Sequence, residues 1–143
     1  MADTVEVNYI YPPTMLDGQW EDFSGNKRVI VQLLGLSDGT GETDVTKVDL
    51  TDLKTQAGNN PTRTVVEWIQ YAATGLTCAL EWDRAANALI ARMDGNGGTI
   101  SDKMYLDKLD PGLDDRTGDI LLTTTNADSG DTYDITMSIR LKD

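Results

Sequence analysis

The 143-residue chain contains no histidine, one cysteine and one phenylalanine. Without histidine, the usual general base, zinc ligand and triad member is missing. The single cysteine, Cys78, rules out a disulfide framework within one chain. It lies in an apolar run with no imidazole to activate it, so it reads as a buried, inert thiol. Basic residues are scarce. Twelve Lys and Arg face 24 Asp and Glu, for a formal net charge of −12. Such a surface repels phosphate, which argues against nucleic acid as a partner. It favours a basic patch on another protein. No apolar run approaches the roughly 20 residues of a membrane helix. The start, Met1-Ala2-Asp3, has neither the basic nor the apolar region of a secretory signal, so the expected setting is a cytosol or an assembly built there. No phosphate loop or dinucleotide fingerprint is visible. Gly39-Thr40-Gly41 sits beside acids, a poor setting for phosphate, and no cofactor is expected.

What is present is β structure. Hydrophobic residues make up 39% of the chain, enough for one core in one domain. Period-two alternation dominates, as half-buried strands require. At the C-terminus Tyr133, Ile135, Met137, Ile139 and Leu141 alternate with Asp134, Thr136, Ser138, Arg140 and Lys142. A one-residue slip would put all five apolar groups in water, so the register is well specified. A strand over 118–125 precedes it, and the turn formers of Asn126 to Asp131 predict a hairpin between the two. Lys27 to Leu34 is a further strand ending at Gly35. Ser37 to Glu42 is a loop, and Val45 to Leu50 alternates again. Thr51 to Gly58 predicts one helical turn with Thr51 as cap and Gly58 as stop. Arg63 to Ala73 is a long strand, with Val66 and Trp68 on one face and Val65, Ile69 and Tyr71 on the other. Leu76, Cys78, Leu80 and Trp82 form one face of the next strand. A turn at 83–87 then leads into a returning strand, Ala88 to Met93, in preference to a helix.

The predicted fold is all-β: a single β-sandwich in immunoglobulin-like or jelly-roll style, with an N-terminal extended arm and a long loop near residues 94–117. Residues 1–25 form the N-terminal strand or arm and its loop, and 26–143 the sandwich. In the arm, Val5, Val7, Tyr9 and Tyr11 alternate with Glu6, Asn8 and Ile10 until Pro12-Pro13 ends the pattern. It is either an edge strand or a segment that pairs with a neighbouring subunit. The long loop carries the turn signal Leu109-Asp110-Pro111-Gly112. Loops of this length are often functional, so its Tyr105 and Leu109 are candidate contacts. Trp68 and Trp82 read as core. Trp20, in a polar segment, is a candidate interface anchor.

Two acidic groups invite a calcium reading: Asp38, Glu42 and Asp44, and Asp110, Asp114 and Asp115. Neither has the spacing of a helix–loop–helix site, and aspartate stabilises turns locally, so both read as structural and no metal is expected. The remaining lysines, tyrosines and carboxylates fall on polar faces or in turns, and no catalytic residue is expected.

Several stretches carry a resemblance. Gly35 to Glu42 followed by Asp44 to Leu50, Leu80-Glu81-Trp82-Asp83, Thr117 to Leu121, and Ser129 to Thr136 together resemble a family of small virion proteins of tailed phages, many of them marine. The similarity runs from about Lys27 to the C-terminus and leaves the N-terminal arm uncovered. It implies a β-sandwich virion component: a capsid decoration or cement protein that bridges major capsid protein subunits on the outside of the head, as a trimer, dimer or monomer. A head–tail connector or tail-associated protein is the alternative within the same family reading. A carbohydrate- or ligand-binding β module, marked by exposed tryptophans in a cleft, is the alternative outside it.

Overall fold

The fold comes from a computed structural model, which describes residues 3–11, 28–53, 60–61, 63–84, 86–94, 99–109 (backbone only) and 117–142. Nine strands follow one another in these residues: β1 (Thr4–Tyr11), β2 (Arg28–Asp38), β3 (Val45–Val48), β4 (Arg63–Thr74), β5 (Thr77–Trp82), β6 (Ala88–Asp94), β7 (Thr99–Leu109), β8 (Ile120–Thr125) and β9 (Ser129–Lys142). They form a five-stranded sheet in the order β1-β2-β9-β4-β7 and a four-stranded sheet in the order β3-β8-β5-β6. Every pairing is antiparallel.

The pairing decides between the two sandwich styles. β2 pairs with β9, β3 with β8, β4 with β7 and β5 with β6. The pairs are nested, as when one long antiparallel ribbon is rolled into two facing sheets. That is the jelly roll, with β1 added beyond β2 as an extra edge strand.

The core lies between the sheets. β9 contributes Tyr133, Ile135, Met137, Ile139 and Leu141, all at most 4% exposed, as its alternation predicts. From the facing sheet come Cys78, Leu80 and Trp82 of β5 and Ile120 and Leu122 of β8. Trp82 ties the layers: its indole Nε1 donates to Thr64 Oγ1 on β4 over 2.9 Å, and both residues are buried. The β5–β6 hairpin forms as expected.

Four expectations are corrected. First, β8 and β9 do not form a hairpin. β8 pairs with β3 and β5, so the connection between β8 and β9 crosses from one sheet to the other. Turn residues mark a reversal of the chain; they do not say which sheet the returning strand joins.

Second, the long loop is mostly strand. β7 pairs with β4 from Thr74↔Thr99 to Val65↔Leu109. Its charges (Asp102, Lys103, Asp107, Lys108) suit an edge strand. A register shift near Val66/Trp68 also interrupts its alternation. Residues 95–98 and 110–116 lie outside the described residues.

Third, β4 does not keep one phase. Val66 pairs with Ile139 and Trp68 with Ser138, leaving Glu67 as the extra residue of a bulge. Val66, Ile69 and Ala73 therefore share the core, while Trp68 is turned away from it and half-buried.

Fourth, the helical turn is a short 3-10 segment, Leu50–Asp52. Its cap is Asp49, whose side chain accepts from Thr51 N, and not Thr51 itself. Gly58 lies outside the described residues.

Candidate functional site

β1 is the segment least absorbed by the fold. Seven of its eight residues are exposed, and among the described strands it is paired with β2 alone. Within the structure it is therefore an edge strand of this chain's own sheet. Its register explains the exposure. Val5 pairs with Gly35, and Val7 with Leu33, whose side chain is fully buried. Directly opposed residues share a face, so Val5 and Val7 lie on the core side of the sheet. The facing sheet is one strand narrower and leaves them uncovered, at 40% and 37% exposure. Tyr9, pairing with Val31, reaches far enough inward to pack against the core. A register shift between Tyr9 and Tyr11 takes Tyr11 out of the row, and it stays exposed.

The start of β1 is anchored by Asp3. Its Oδ1 accepts from the amides of Asp38 at 3.1 Å and Gly41 at 3.3 Å, and from Ser37 Oγ at 3.5 Å.

On the opposite, outward face of the sheet lies a groove of about 510 Å³. Its walls follow two rows of the ladder: Thr4, Leu36, Thr132 and Thr74, then Glu6, Leu34, Asp134 and Ala72. Leu34, Leu36 and Ala72 give an apolar lining, while Glu6 and Asp134 supply two carboxylates. Among the described residues no Lys, Arg or Trp lines it. Asp134 Oδ1 accepts from Gln32 Nε2 at 3.1 Å.

The buried polar groups form a separate cluster between the sheets. Glu42 is 8% exposed and Lys47 5%; Lys47 Nζ lies 2.6 Å from Glu42 Oε2. Tyr133 Oη donates to Glu42 Oε1 at 2.5 Å. Burial, and then this contact with Glu42, push the Tyr133 hydroxyl well above its ordinary value. Burial also pushes the Cys78 thiol up to about 12. A nucleophile needs the opposite shift. Sequence reasoning missed the Glu42–Lys47 pair because both positions read as solvated; only the observation that Tyr133 faces inward could have pointed to a buried acceptor.

The other acids of that loop also close turns. Asp38 is held below the usual carboxylate range by hydrogen bonds from Thr40, whose amide lies 3.0 Å away. Asp44 accepts from Thr123 Oγ1 at 3.2 Å and Asn87 Nδ2 at 3.4 Å. Among the described residues, no three ligand-type side chains are placed to hold a metal ion. Asp110, Asp114 and Asp115 lie outside the described residues.

The sequence motifs meet at the corners of the sandwich. Asp83 N donates to the Asp119 carbonyl at 2.9 Å, and Thr117 N and Oγ1 donate back to Asp83 at 3.1 and 2.9 Å. Asp119 Oδ1 accepts from Leu50 N at 2.9 Å. These motif residues latch loops to one another.

The predicted contact residues do not converge on one site. Val5, Val7, Tyr9 and Tyr11 lie on β1. Tyr105 and Leu109 lie on β7, the opposite edge of the same sheet, with Trp68 and Val65 as backbone partners. Trp20 lies outside the described residues. Ile10 and Leu36, at 47% and 49% exposure, are exposed apolar groups the sequence did not single out. No family model matches the chain, and neither does any curated protein or solved structure.

Proposed function

We propose that the chain is a structural virion protein of a tailed phage: a decoration or cement protein that binds major capsid protein on the outside of the head and works through its sheet edges. The observation that carries this reading is β1. It is an eight-residue edge strand exposed along nearly its whole length, with apolar Val5 and Val7 on a face that the second sheet leaves uncovered. An open apolar edge invites pairing with another chain, and monomeric proteins usually blunt such edges with lysine or proline. β1 has neither. Strand addition at this edge is the means of attachment.

The motifs resembling phage virion proteins support the family part of the reading. They recur here as the corner latches and the Glu42–Tyr133 contact, roles that concern fold and not chemistry. The ligand-binding alternative expects tryptophan in a cleft. Trp82 is buried, and among the described residues no tryptophan lines the outer groove.

The test is to mix undecorated capsids with the full chain and with a variant lacking residues 1–13. Among the described residues the deletion removes no fully buried side chain, only the partly buried Tyr9 that packs against the core, and circular dichroism of the variant checks its fold before binding is scored. The full chain co-sediments with capsids and raises their resistance to heat; the variant does neither. Equal occupancy by both proteins would reject β1 as the attachment element. No binding by either would reject the decoration role.

A further inference from the structure

The free edge and the outer groove lie side by side, and together they specify what kind of strand they accept. We infer that the β1 edge from Thr4 to Asn8 takes an added strand that alternates apolar and basic side chains, with one Lys or Arg reaching over β1 into the groove between Glu6 and Asp134. This rests on the strand-addition reading above and adds the chemistry of the partner.

Alternation follows from the two faces of β1. A strand paired beyond β1 shares its pleat, so every second side chain lies beside Val5 and Val7 on the uncovered face. Those positions favour apolar groups. The intervening side chains lie on the groove face, beside Thr4, Glu6 and Asn8. There the ladder sets Glu6 opposite Leu34, and Leu34 opposite Asp134. The two carboxylates are thus two strand spacings apart, about 10 Å, with the Leu34 side chain between them. A long cationic side chain fits such a surface: its methylenes cover leucine while its head stays near carboxylate and water. Among the described residues no cation lines the groove, and the chain as a whole carries −12. A second copy of the chain would bring an edge that carries Glu6 and a net charge of −12, so charge complementarity selects a basic partner over self-association.

The probes are two capped seven-residue peptides, one alternating valine with lysine and the other valine with glutamate. Each is titrated into the full chain by nuclear magnetic resonance with amide hydrogen exchange. The lysine peptide binds and slows exchange of the outward-facing amides between Thr4 and Asn8, and the glutamate peptide does not. The double variant Glu6→Gln, Asp134→Asn weakens the lysine peptide about tenfold, as expected for the loss of two exposed charge contacts. Glu6→Lys shifts preference toward the glutamate peptide. Both substitutions lie on exposed positions and leave the fold in place. Equal affinity for the two peptides, or an unchanged preference in both variants, overturns the inference. Capsid binding separates the two levels. If it is lost on deleting residues 1–13 but kept by Glu6→Gln, Asp134→Asn, the charge rule falls and strand addition stands. If it survives both changes, both fall.

Discussion

Lys47 Nζ lies 2.6 Å from Glu42 Oε2, with only 2% and 7% of the two side chains exposed. An ion pair this far from water holds only while both partners remain, because removing one strands the other charge in the core. Tyr133 completes the group by donating to the second carboxylate oxygen. The loop after β2 and the adjoining strand β3 are thereby fixed to the start of β9, with Tyr133 lying 91 residues from Glu42 in sequence.

The first prediction follows from that pairing. Lys47→Met alone lowers stability by about 3–5 kcal/mol, because Glu42 is left unpaired. Lys47→Met with Glu42→Gln recovers most of the loss. Urea unfolding of the two variants and the parent measures both. Equal losses in the single and double variants would show that the charge itself is not what matters.

A second prediction concerns Gly35. A Cβ built there would overlap the ring of Tyr133 on the neighbouring strand. Gly35→Ala therefore forces the ring aside and costs about 1–3 kcal/mol by overpacking. The cost persists in a Tyr133→Phe background, which keeps the ring. It shrinks in Tyr133→Val, which removes it. Thermal unfolding of Gly35→Ala, the two Tyr133 variants and the two double variants against the parent decides.

Acid should weaken the outer face of the five-stranded sheet at a defined place. Glu67, the bulge residue of β4, is held below its ordinary 4.5, first by the hydrogen bond from Arg28 and further by Ser138. Its folded value is depressed, so its contribution is present above the unfolded value of 4.5 and is lost as pH falls through the folded one. Glu67→Gln flattens the stability–pH curve below that point and leaves it unchanged at neutral pH apart from a constant offset. Stability measured from pH 7 down to acid for parent and variant tests this. Parallel curves would contradict it.

At the alkaline end, the Cys78 thiol is raised from 9.0 to about 12, mainly by burial and then by the charge of Glu42. The neutral thiol is favoured in the fold, so this contribution is intact below 9.0 and disappears as pH rises toward 12. The folded protein should resist thiol reagents at pH 8, with labelling only as fast as unfolding exposes the site. Labelling within the mixing time would place Cys78 at the surface.

How much of this could be read from the sequence depended on phase. β9 was fully legible, because five inward residues alternate without interruption and all five are core. Cys78, Leu80 and Trp82 were legible for the same reason, and the short run after Trp82 correctly indicated a returning strand. Legibility failed where a bulge shifts the count. Val66 and Ile69, three apart, share the core only because Glu67 is extra, and the same shift disguised β7 as a loop. The partner of β9 was misjudged because a turn-rich connection looks alike whether the chain returns to the same sheet or crosses to the other. The buried role of Lys47 was invisible, since nothing in its neighbours distinguishes it from a solvated lysine. The uncovered valines of β1 were visible as an alternation, but only the unequal width of the two sheets explains why they remain exposed.

The central claim is that this domain works as a bound component of a particle, attached along β1. An electron cryo-microscopy map of the particle that carries the chain tests it most directly. The account predicts a nine-stranded jelly roll on the outside of the head, with a capsid strand continuing its five-stranded sheet past Val5 and Val7. Density for the domain with β1 facing solvent, or a head lacking the domain altogether, would contradict it.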